Sequence, residues 1–137
     1  LTSPQTADPP AERAIVPVAL RPATRRDFDA LGASLPYRVR AFAAERAGQL
    51  LGIGGLIFLP EGTVGAFVLL QDGARKYAIA LHKAGLRTLE EARQLGIRRV
   101  VAIAEDGVRP ARAWLLRLGF ESLNIDGNEV FVWQDQP

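Results

Sequence analysis

The stretch Ala111-Arg112-Ala113-Trp114-Leu115-Leu116-Arg117-Leu118-Gly119-Phe120-Glu121 decides the fold of this 137-residue chain. Its apolar residues recur at helical spacing, Pro110 suits the first turn just before it, and Gly119 follows the last turn as a C′ glycine should. Phe120 to Leu123 then reads as a short strand. Asp126-Gly127-Asn128 is a hairpin signal, and Glu129 to Trp133 reads as the returning strand. Upstream, Arg98 to Ala104 (RRVVAIA) has the continuous apolar character of a buried strand. Before it, Ala74 to Leu95 carries Tyr77, Leu81, Ala84, Thr88, Ala92 and Leu95 at steps of three or four, the pattern of an amphipathic helix. Asp72 is placed to cap that helix and Gly96 to end it. Gly85 in its interior marks a close packing contact.

The amino-terminal half is extended. Ala14 to Leu20 is β-rich, with Pro17 suited to an edge strand. Thr24 with Asp27 three residues on has the spacing of a capping box, so a short helix is expected at 25–32, ended by Gly32. Tyr37 to Glu45 alternates as a half-buried strand. Leu50 to Phe58 and Thr63 to Gln71 complete an antiparallel meander. The run at 64–70 (VGAFVLL) has no ionisable side chain, which predicts a central strand covered on both faces. Gly54 and Gly55 predict a strand bulge. Gly52-Ile53-Gly54-Gly55 lies in an extended stretch and opens no helix, so it is no dinucleotide fingerprint. The element order is β-α-β-β-β-α-β-α-β-β, an α/β (α+β) fold with a mixed sheet of six or seven strands. Residues 1–13 (LTSPQTADPPAER) read as a flexible tail and 14–137 as a single domain.

Composition narrows the chemistry. Hydrophobic residues make up 48% and charged residues 23%, enough to fill one core. There is no cysteine and one histidine, which excludes disulfides, thiolate metal sites and multi-histidine metal sites. No apolar run reaches the ~18 residues of a membrane span. The net charge of +2 gives no strong field for nucleic acid, and the densest basic spots, Arg25-Arg26 and Arg98-Arg99, are pairs. These features suit a cytoplasmic protein.

Three segments, in order, resemble the GNAT acetyltransferase superfamily. Leu20-Arg21-Pro22-Ala23-Thr24-Arg25-Arg26-Asp27 resembles its opening strand and R-x-A-x-x-x-D helix start. Leu89 to Val100 (LEEARQLGIRRV) resembles the end of its cofactor helix and the next strand, and Ala111 to Glu121 its last helix. The resemblance implies acetyl-CoA as acyl donor and an unidentified amine as acceptor; charge and hydropathy add the expectation of no nucleic acid or membrane partner, and a homodimer is a possible assembly. It also implies where the cofactor lies. Leu69, Leu70 and Gln71 would offer a strand edge to the pantetheine arm, and Asp72 to Ala80 would form the phosphate loop. There the family's glycine-bearing pattern falls on Arg75, Ala78 and Ala80, or without a gap on Lys76, Ile79 and Leu81.

This chain departs from the family in three respects. Glycine is absent at those loop positions. Leu115 stands where many members place a proton-donating tyrosine. Only sixteen residues lie between Leu20 and Tyr37, which shortens the acceptor region. The Trp-Leu-x-x-Leu-Gly-Phe run resembles a divergent phage and prophage group, so a catalytically silent binding protein is the alternative.

Amine acetylation needs a group to take the ammonium proton. Glu105, beside Asp106 at the end of the fifth expected strand, is the candidate base. His82 and Tyr77 fit helix packing better, and Trp114 and Trp133 fit core or interface anchors.

Overall fold

In the computed structural model, residues 16–102 and 109–135 are described, the side chains of residues 109–111 excepted. Seven strands form one sheet in the order β1-β2-β3-β4-β5-β7-β6. They are β1 (Ala19–Pro22), β2 (Arg38–Arg46), β3 (Gln49–Phe58), β4 (Val64–Leu70), β5 (Arg99–Ala102), β6 (Glu121–Ile125) and β7 (Asn128–Gln134). Three α-helices connect them: α1 (Arg25–Ala30), α2 (Ala78–Gln94) and α3 (Arg109–Leu118). Every neighbouring pair is antiparallel except β4 with β5. The expected order of elements is the observed one, with a 3₁₀ turn at Ala74–Tyr77 leading into α2. Among the described residues, no helix is long and apolar enough to cross a membrane.

Local chemistry accounts for most of the boundaries. Ala47 and Gly48 (φ 52° and 79°) join β2 to β3, and Asp126 and Gly127 (φ 51° and 84°) join β6 to β7. Both are two-residue turns with positive φ twice, the geometry that matches strand twist. Gly96 (φ 77°) ends α2.

At the start of α1, Thr24 and Asp27 close a reciprocal capping box. Arg21 donates two hydrogen bonds to Asp27, at 2.7 and 2.8 Å, and Thr24 N–H donates a third at 2.7 Å. The Asp27 carboxyl is 8% exposed. The Arg21 guanidinium, more than Thr24, holds it well below the usual carboxylate range, against the effect of burial. Asp27→Asn is expected to cost about 2 kcal/mol at neutral pH, because it weakens a cap and a charge-assisted pair together. Asp27 sits below its ordinary value of 3.8, so its contribution is whole above that pH and is lost as pH falls through the native-state value. Thermal-unfolding midpoints of wild type and D27N should therefore stand apart above about pH 4, begin to approach each other only below it, and meet only as pH reaches the much lower native-state value.

The core lies between the sheet and the pair α2 and α3. Leu56, Val100, Phe131 and Trp133 from the strands meet Leu89 and Ala92 of α2 and Leu115 and Leu118 of α3. Gly85 lets these helices touch: a Cβ there would lie 3.0 Å from Leu118 Cδ1 and 3.3 Å from Trp114 Cζ2.

Four expectations are corrected. β1 starts at Ala19, later than the β-rich run beginning at Ala14, of which residues up to 15 lie outside the described set. The bulge falls between Ala44 and Glu45, where Gly52 and Leu50 are the successive partners and Leu51 is the extra residue. Gly54 and Gly55 keep regular pairing with Phe42 and Ala41 and instead admit backbone at close range. Asp72 does not cap α2: no side chain caps that helix, whose entry is the 3₁₀ turn after Gly73 (φ 82°). Finally, β4 is fourth of seven but not covered on both faces. Val68 is 40% and Leu70 38% exposed. Among the described residues the β4–β5 ladder runs through Gly65 with Val101 and Ala66 with Ala102.

Candidate functional site

Beside the end of β4 lies a groove of about 610 Å3. Its floor is Val68 and Leu70 of β4, and its walls are the first turns of α2 and the face of α3 carrying Trp114 and Arg117. The strand supplies more than side chains. Gln71 N–H donates to the Leu51 carbonyl at 2.8 Å. Alternation along an antiparallel pair then turns the backbone of Leu69 and Phe67 toward β3 as well, and that of Val68 and Leu70 the other way, toward the β5 side of the sheet. The carbonyl of Leu69 fits this placement, since it lies 2.6 Å from where a Gly52 Cβ would be.

Helix α2 presents two stripes. One, with Leu81, Ala84, Thr88 and Leu89, faces the sheet. The other, with Arg75 in the preceding turn and then Ile79, His82 and Leu86, faces the groove. Ile79 is 77% and Leu86 47% exposed. With Val68 and Leu70, four large apolar side chains are therefore left to water in one concavity. Such a cluster marks a binding surface more than scattered exposure does.

Among the described residues that line the groove, the charged ones are all cationic. Arg75, Lys83 and Arg117 line it, and none forms an ion pair among the described residues. The first backbone N–H groups of α2, which no side chain caps, lie beside them. One more group lacks a partner: Trp114 Nε1 is buried and donates to nothing among the described residues. A buried unpaired donor is costly, and a ligand acceptor would satisfy it.

The structure gathers only some of the residues singled out from sequence. Leu70, Arg75 and Ala78 line the groove. Leu69 and Gln71 are in or next to β4 but turn their backbone to β3. Lys76 lies over the Tyr77 ring, 5.4 Å from its centroid, and Ala80 is half-buried; neither lines the groove. Tyr77 packs against Ala44, Leu51 and Ala74, the packing role expected of it. Leu115 is buried in the core. Glu105 and Asp106 lie outside the described residues.

Sequence reasoning missed Val68, Lys83, Leu86 and Arg117 as groove residues, placed Ile79 only in the phosphate loop, and took His82 for helix packing and Trp114 for an anchor. A signal was present in α2. Ile79, His82 and Leu86 repeat at three and four residues, a second stripe on a helix whose core face was already assigned.

No protein-family model matches the chain, and no curated protein does. Solved structures do match. The yncA protein of Salmonella typhimurium with its cofactor acetyl-CoA superposes with a TM-score of 0.69 at 16% identity, over 88% of this chain and 96% of that one. An acetyltransferase of the GNAT family from Staphylococcus aureus gives 0.68 at 12% identity, over 86% and 99%. A Bacillus subtilis acetyltransferase in complex with CoA gives 0.63 at 12% identity, over 88% and 100%. These three are bacterial proteins and lend no support to a phage-like origin. The likeness spans nearly the whole length of each partner, so the chain has the fold of the GNAT acetyltransferases.

Proposed function

We propose that this protein is an acetyl-CoA-dependent N-acyltransferase. The observation that carries the reading is the groove itself: exposed apolar side chains, cations with no ion pair among the described residues and the start of α2 converge beside the end of β4. A pantetheine arm is an amide-bearing chain with apolar segments, and it ends in a pyrophosphate. The residues present fit both parts. Val68 and Leu70 would pair backbone with the arm, and Arg75, Lys83, Arg117 and the α2 N-terminus would hold the phosphates. The solved neighbours with CoA or acetyl-CoA support the same assignment.

Bound acetyl-CoA would supply an activated acetyl group as a thioester. The chain's own part is modest and suits this site. Outward-facing N–H groups on β4 would polarise the thioester carbonyl, and the groove would fix its position relative to an incoming amine. Glu105 is the proposed base for that amine. Leu115 carries no proton, so the thiolate would leave without help from that position, which a thiol's low pKa permits. An amine acceptor belongs to this proposal, as does a homodimer through the β6 edge, where Leu123 and Ile125 are exposed.

Calorimetric titration with acetyl-CoA tests the reading. Binding is expected in the micromolar range, weakening as salt rises. Arg117→Glu should lower affinity about tenfold at low salt and flatten the salt dependence, because it reverses one of three local charges. No heat and no thermal shift at millimolar acetyl-CoA would remove the enzyme reading. Binding without thiol release across a panel of amines would favour the silent binding protein, as Leu115 does.

A further inference from the structure

Beside the groove lies a second, half-open space of about 110 Å3, between the sheet and the helices α2 and α3. Small residues create it from both sides: Gly52, Gly54 and Ala66 below, Ala84 and Gly85 above. Protein interiors leave few such voids, and an unfilled one destabilises in proportion to its volume. Val68, Leu70, Leu81 and Trp114 line both spaces, so the inner one adjoins the groove.

The unpaired indole donor stands at that boundary. Trp114 Cζ2 lies 3.3 Å from where a Gly85 Cβ would be, and Cζ2 belongs to the same ring edge as Nε1. The N–H is therefore on the edge of Trp114 that faces α2, between an apolar hollow and a cationic groove. A ligand suited to this order has an anionic end, an acceptor oxygen at the boundary and an apolar tail beyond it.

From this arrangement we infer that the site also takes acyl thioesters with a chain longer than acetyl, the carbonyl or adjoining amide accepting from Trp114 Nε1 and the tail filling the second space. The inference rests on the acyltransferase reading and extends its substrate class beyond acetyl-CoA. Apolar cavities of ~150 Å3 admit benzene, so this one has room for about four carbons. Each methylene buried there should tighten binding roughly fourfold.

The test is a calorimetric series with CoA, acetyl-CoA, butyryl-CoA and octanoyl-CoA. Butyryl-CoA, two methylenes longer, is expected to bind about 15-fold more tightly than acetyl-CoA, with the gain ending by octanoyl-CoA, whose chain outgrows the space. Ala84→Leu and Thr88→Ile narrow the cavity from α2 and should abolish the gain while CoA itself still binds, which also reports that each variant is folded. Trp114→Phe keeps the ring, loses the donor, and should weaken all the acyl thioesters several-fold. Equal affinity for acetyl-CoA and butyryl-CoA in the wild type, or a gain that survives both narrowing variants, overturns the inference and leaves the acyltransferase reading standing. Failure of CoA and of every thioester to bind removes both.

Discussion

Gly55→Ala is expected to destabilise the protein by about 3–5 kcal/mol, which takes most of the stability a domain of this size commonly has. Gly55 is buried in the middle of β3, opposite Ala41 of β2. A Cβ there would stand 2.2 Å from the Arg40 carbonyl oxygen and 2.7 Å from Ala41 Cα. Both are backbone atoms of the paired strand. Unlike the tip of a side chain, they cannot swing aside. Relief requires moving β2 away from β3, which breaks several ladder hydrogen bonds worth about 1 kcal/mol each. Gly54→Ala is the control. Its Cβ would lie 3.3 Å from the Phe67 carbonyl oxygen and 3.7 Å from a Val68 methyl, contacts a small shift accommodates. That substitution should cost about 1 kcal/mol. Urea unfolding of both variants measures the contrast, and equal midpoints would show that β2 and β3 do not approach as described.

The two glycines also show where sequence reading stops. Adjacent glycines within a strand pattern indicate either a bulge or a close backbone approach, and spacing alone does not separate these. The structure places the extra residue at Leu51, between the partners of Ala44 and Glu45 and next to Gly52 rather than at Gly54 and Gly55, because a bulge depends on how two strands register. Element order was legible because each piece carries local chemistry: the capping box at Thr24 and Asp27, the Asp126-Gly127 turn, and the glycine after α2. The groove was only half legible. Its location follows from a parallel crossover between β4 and β5, which the order of elements implies. Its lining does not follow, because that depends on which way each β4 residue turns its backbone and on the pairing of α2 with α3. Arg117 and Trp114 enter from α3, far from the β4–α2 junction in sequence. A composition rule reads 64–70 as a strand covered on both faces; exposed Val68 and Leu70 contradict that rule at the place where the fold leaves a surface for something else.

The largest effect on ligand binding is expected from Ala78→Trp, which should lower affinity for acetyl-CoA by about 30-fold or more, ~2 kcal/mol, with little change in stability. Ala78 is the first residue of α2, exposed, and part of the groove wall. Related folds use glycine near this point so that phosphates can approach the helix backbone. Alanine adds one methyl group to that surface. Arg75 and Lys83 beside it supply charge that a bare glycine loop does not. Tryptophan would fill the approach itself, whatever the charge around it. Its intrinsic helix cost relative to alanine is a few tenths of a kcal/mol, and the position makes no core contact to lose. Ala78→Gly should act in the opposite sense on the ligand, tightening it slightly, and cost the fold up to about 1 kcal/mol. Binding and unfolding measured on the same two variants thus separate access from stability. An A78W protein that is folded and still binds acetyl-CoA at wild-type strength would place the phosphates away from the start of α2, and the cationic wall of the groove would then need another ligand.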